Sequence, residues 1–218
     1  MSRPFPVHLP TEVAFVRKSL FAIEIVDAVT LEPMIRGLEV KATGLNRDPI
    51  LNSGGFFVFL EEGAAQAQAI VIDADKTFSE SITVPPPVLP DRRRRVELAP
   101  RYDYPFSPGA TAMRGTLIES FPADPTPAPG AEIWLQWLDD TLVWVDAPTH
   151  SHSGIKGDFA ALLRLTPQQV PKPNAGGSVS VRLRVRRNGA TRTSADFSLP
   201  TGRVADPLPP FGWSELVP

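Results

Sequence analysis

Polar and apolar residues alternate along several short stretches of the chain, the spacing expected of strands that bury one face. In "VSVRLRVRR", Val179, Val181, Leu183 and Val185 fall on one side, and Ser180, Arg182, Arg184 and Arg186 on the other. Asn188-Gly189 follows, a two-residue hairpin signal because both turn positions take positive φ. The returning strand is then "TRTSADFSL". "GAEIWLQWL" sets Ala131, Ile133, Leu135 and Trp137 on one face, and Asp139-Asp140 offers a turn into "TLVWV". Earlier in the chain, "LFAIEIVD", "GLEVKA", "GFFVFLE", "AIVIDA" and "ESITVP" read as strands of similar length. Helical patterning is thin. "PTEVAFVRKSL" holds a helical turn at most, and "GDFAALLRLTPQQ" reads as a strand followed by a loop begun at proline.

Short strands punctuated by turn residues predict an all-β chain built as sandwiches. The 25 prolines fit this reading, because proline suits turns and strand ends but not helix interiors. The order of parts also recurs. "FAIEIVD", "GLEVKA", Gly55-Phe56 and "AIVIDADKTFSESITVP" are followed later by "AMRGTLIES", "GAEIWL", Gly157-Asp158-Phe159 and "VRLRVRRNGATRTSADFSLP". Gly37 then corresponds to Gly130, Phe56 to Phe159 and Pro85 to Pro200. The repeat predicts two tandem sandwiches, 1–104 with an N-terminal arm and 105–218 with a C-terminal tail.

Arg114-Gly115-Thr116-Leu117, Ala128-Pro129-Gly130-Ala131-Glu132-Ile133 and Gly157-Asp158-Phe159 resemble the carboxypeptidase regulatory-like family. The first half resembles it through Gly37-Leu38-Glu39-Val40 and Gly55-Phe56. This resemblance implies two transthyretin-like (prealbumin-like, Ig-like) β-sandwiches and a non-catalytic accessory role. A phage-like or contractile-injection apparatus of a bacterium is a setting that such modules imply.

Composition narrows the classes further. Of 218 residues, 42% are apolar, enough for ordinary cores. Twenty-two basic and 24 acidic residues leave a net charge of -2, which gives no general attraction to nucleic acid or membrane. Cysteine is absent, which removes disulfides and cysteine-based zinc sites and fits a reducing compartment. The N-terminal sequence lacks the apolar core of a secretory leader, so a cytoplasmic location is expected. No cofactor is implied.

His150 and His152 project to the same side of an extended segment, a geometry that can seat a metal. With Tyr102 and Tyr104 they resemble the two-Tyr, His-x-His iron set of intradiol ring-cleavage dioxygenases. "GAEIW" is similar to a strand of that family. Two departures stand against it: the tyrosines sit two apart in a Pro-rich connector, and the histidines precede the Gly-x-Phe turn. The other reading of "THSHSG" is a polar lead-in to a turn. His8 is the remaining histidine, and Asp73 and Asp75 read as a hairpin turn rather than a calcium loop.

Aromatic residues on second faces need cover from the other domain, the N-terminal arm or another chain, and an uncovered patch marks an interface with other protein subunits, including copies of the same chain. Trp134 faces away from Ile133 and Leu135, and one of Leu142/Trp144 and Val143/Val145 must also face outward. Phe57 and Phe59 or their neighbours need cover in "GFFVFLEE", and Trp213 is a tail anchor or a residue folded back on its own domain. A rival reading makes Trp134 or Trp144 the stacking platform of a carbohydrate-binding module. Arg92, Arg93, Arg94 and Arg95 form either an anionic-partner site or a solvated strand edge.

Overall fold

The computed structural model describes residues 18–61, 65–74, 78, 82–88, 90–121, 123–166, 168–174, 176–206 and 209–218. The chain is all-β. The first strands are β1 (Ser19–Asp27), β2 (Leu38–Thr43), β3 (Ile50–Leu51), β4 (Phe56–Leu60), β5 (Ala69–Ala74), β6 (Ile82–Val84) and β7 (Arg93–Leu98). They form one sheet in the order β3-β4-β1-β7 and another in the order β2-β5-β6. β1 pairs antiparallel with β4 and parallel with β7.

Next come β8 (Ala112–Ser120), β9 (Asp124–Pro127), β10 (Glu132–Leu138), β11 (Trp144–Asp146), β12 (Ser151–His152) and β13 (Asp158–Leu162). The chain continues through β14 (Pro173–Asn174), β15 (Ser178–Arg187), β16 (Ala190–Thr193), β17 (Phe197–Pro200), β18 (Val204–Ala205) and β19 (Phe211–Gly212). One sheet is centred on β10 and β15, and β11, β12, β14, β16 and β17 complete it. In the other, β8 pairs with β9, β13, β18 and β19.

Each pair of sheets encloses an apolar cluster. The first includes Ile23, Ile25 and Phe59 from one sheet and Val40, Ile70 and Ile72 from its partner. The second draws Met113, Leu117 and Phe159 against Ile133, Leu135, Leu183 and Val185. The alternation in β15 is realised as expected, with Val179, Val181, Leu183 and Val185 all at 2% exposure or less. The returning segment differs: it is split into β16 and β17, because the hydroxyl of Ser194 takes the amide of Leu183 and interrupts the ladder.

Phe57 and Phe59 were expected at a partner surface, and here the structure corrects the sequence. Both point into the first cluster and are buried, while Phe56, Val58 and Leu60 are half-buried on the opposite face. The apolar run without polar alternation thus reflects a strand covered on both sides.

Arg114, from β8, donates through Nε to the carbonyl of Tyr102 at 2.7 Å and through Nη2 to that of Tyr104 at 2.9 Å. Arg164, just past β13, reaches the carbonyl of Ala28 at 2.7 Å and Glu97 at 3.1 Å. Two guanidinium groups therefore tie the segments that build the second cluster to those that build the first. Among the described residues, no helix is long and apolar enough to cross a membrane.

Candidate contact surface

On the outward face of the β10–β15 sheet, strand register sets Glu132 opposite Arg186, Trp134 opposite Arg184 and Gln136 opposite Arg182. His152 lies across from Glu132 on the other side of β10, and Asp146 across from Gln136. Cations and aromatic rings therefore meet in alternation. The His150 ring stacks on Trp134 with centroids 4.6 Å apart and an interplanar angle of 8°. The Arg184 guanidinium lies 5.4 Å from the Trp134 ring, and Arg182 sits over Trp144 at 4.3 Å. The indole Nε1 of Trp134 donates to Asp146 at 2.7 Å.

Trp134 does face outward, as the alternation predicts, but it is only 6% exposed. Its neighbours cover it, so it is neither a bare docking anchor nor an open platform for a sugar ring. Trp144 also faces outward and is half-buried under Arg182, while Val145 packs toward the core.

Glu132 accepts from His150 Nδ1 at 2.8 Å and pairs with Arg186. Partial burial pushes its carboxyl upward, but the His150 hydrogen bond and the Arg186 charge outweigh that and hold it below its ordinary range. A depressed carboxyl contributes stability that is present above its unfolded pKa of about 4.3 and lost as pH falls through the folded value. Glu132→Gln is therefore expected to be less stable than the parent at pH 5.5, with the gap narrowing by pH 3. Urea titrations at the two pH values check this, and a gap that is constant or widens on acidification contradicts the assignment.

The β10–β11 turn carries the exposed apolar part of this surface. Asp139 shapes it: the carboxylate accepts the amide of Val143 at 2.7 Å and the hydroxyl of Thr141 at 2.8 Å. Leu142 sits at the tip with a φ of 65° and 61% exposure. Left-handed backbone costs a bulky residue about 1–2 kcal/mol, and burial returns little at this site. Val143 is also exposed, and the amide of Asp140 bonds the carbonyl of the exposed Val170. The sequence placed a turn at Asp139-Asp140, but nothing in it marks the conformation of Leu142 or brings Val170 alongside.

The remaining candidates are dispersed. Tyr104 is buried and its hydroxyl donates to Asp27, whereas Tyr102 is exposed and lines a groove of about 520 Å³ together with His152. His150 is taken up by Trp134 and Glu132. The two tyrosines and two histidines are thus not brought together as a ligand set, because the connector turns Tyr104 into the first cluster. Among the described residues, no three His, Asp or Glu side chains form a metal-ligating group. His8 and Asp75 lie outside the described residues.

Trp213 folds back: Arg192 bonds its carbonyl at 2.9 Å and lies 4.7 Å over its ring. In the arginine run, Arg92, Arg94 and Arg95 donate to the carbonyls of Ser19, Pro85 and Leu31 at 3.1, 3.0 and 3.4 Å. The side chain of Arg93 is exposed. β7 is the terminal strand of its sheet, so the run is a charged edge whose side chains satisfy neighbouring main chain. No family model, curated protein or solved structure matches the chain.

Proposed function

We propose that the chain is a non-enzymatic structural or adaptor protein that contacts other protein subunits of a larger assembly. In this reading, residues 1–104 and 105–218 are tandem transthyretin-like sandwiches that present the contact surface. The separation of the buried apolar residues into one cluster spanning 21–104 and another spanning 113–216 supports the division. The lack of cysteine supports a cytoplasmic setting.

One observation carries the functional reading: the strained, exposed tip at Leu142, with Val143 and Val170 beside it, next to Trp144. A hairpin tip of that kind adds little to its own fold and offers apolar area to a partner.

Gentle purification of the full chain, followed by size-exclusion chromatography with light scattering, tests the proposal. The parent is expected to elute with a stoichiometric protein partner or as a defined oligomer. Leu142→Ser/Val143→Ser is expected to elute as the free monomer, with its stability changed by no more than about 0.5 kcal/mol. A parent that runs as a lone monomer contradicts the adaptor role. Stoichiometric iron that disappears with His150→Ala would support the dioxygenase-like reading in its place.

A further inference from the structure

A second feature is independent of the contact surface. β18 pairs with β8 at Ala112 and Met113, and β19 pairs with it at Leu117 and Ile118. A pocket of about 560 Å³ lies beside these two pairings, lined by Ala205 of β18 and Phe211 and Gly212 of β19, and reaches the second cluster at Met113 and Leu199. Its walls are apolar: Met113, Phe197, Leu199, Phe211 and Leu216. Phe211 lies 6.0 Å from Phe197 and 6.2 Å from Phe159, so the pocket floor is continuous with the packed aromatic core.

Its charged lining is of one sign. Asp196 and Glu215 both line the pocket, and among the described residues no lysine or arginine does. Glu215 is held in place by the hydroxyls of Ser120 and Ser214 at 2.7 Å and by the amide of Phe121 at 3.2 Å. Those donors also keep its carboxyl below the usual range, with Ser120 contributing most, so it is charged at neutral pH. The volume falls within the range of small-molecule sites, which are mostly apolar with a few fixed polar groups that set orientation.

We propose that this pocket binds a small organic amine, with its apolar body against Phe197 and Phe211 and its ammonium at the Asp196 and Glu215 carboxylates. An apolar anion of equal size would meet two like charges, with no lysine or arginine among the described lining residues to offset them. The site therefore selects by charge as well as by shape.

Titration of the isotopically labelled full chain with phenethylamine, and separately with 3-phenylpropionate, tests the assignment by amide chemical shifts. Saturable shifts at Phe197, Ala205 and Phe211 are expected with the amine, and affinity at least about tenfold weaker for the anion. Asp196→Asn, at an exposed position, is expected to reduce that preference severalfold, and Glu215→Gln to reduce it further. Equal affinity for the two probes, the absence of saturable shifts at these amides, or a preference unchanged in both variants would overturn the proposal.

Discussion

Gly157→Ala is expected to cost the second half of the chain about 3 kcal/mol or more, the sum of left-handed strain and backbone overlap. Gly157 has a φ of 75°, and a Cβ there would stand 2.1 Å from the carbonyl oxygen of Leu117. That oxygen accepts the amide of Ala128, and the amide of Leu117 bonds back to Gly157. The intruding methyl thus meets main chain that is pinned on both sides and cannot swing away. Gly130 is the matched control, since its φ is 71° but its Cβ would meet nothing within 4 Å. Gly130→Ala should therefore show the strain alone. Urea unfolding of the two variants separates the contributions, and a Gly157→Ala cost no larger than that of Gly130→Ala would refute the overlap argument.

Tyr104→Phe is expected to lose about 1.5–3 kcal/mol at neutral pH, because one oxygen of the buried Asp27 side chain loses its donor. Asp27 is 8% exposed, and the bond from the Val29 amide to its other oxygen remains once the phenol is gone. The pH dependence gives a second readout. Burial, and then the Asp27 hydrogen bond, push the Tyr104 hydroxyl far above its usual range. A raised pKa contributes stability that is complete below the unfolded value of about 10 and lost as pH rises above it. The parent should therefore lose stability between pH 9 and 11 more steeply than Tyr104→Phe does. Denaturant midpoints across that interval check it, and parallel slopes would mean the phenol is not protected.

The inward faces of the strongly alternating strands were legible because period two leaves one choice of core side. Val181, Leu183, Ile133 and Leu135 are all fully buried. The direction of Trp134 was legible for the same reason. Its exposure was not, since that depends on Arg184 and His150, which only the strand register delivers. Phe57 and Phe59 were misplaced because an apolar strand without polar alternation does not say which face is the deeper one. The strand edge at β7 was one of the two readings of the arginine run, but the carbonyls that its long side chains reach were not legible. Leu142 marks the outer limit of what the sequence conveys. A left-handed leucine is dictated by the hydrogen bonds of Asp139 around it, not by its own preference.

Arg114 and Arg164 grip main-chain carbonyls instead of facing side chains alone. Peptide oxygens do not titrate and do not change rotamer. The side chain of Arg114 thus joins β8 to the backbone at Tyr102 and Tyr104, and that of Arg164 joins the segment after β13 to the backbone just past β1. The ties between the two apolar clusters at Tyr102, Tyr104 and Ala28 therefore do not depend on the protonation state of an acidic partner, and acidification leaves these acceptors in place.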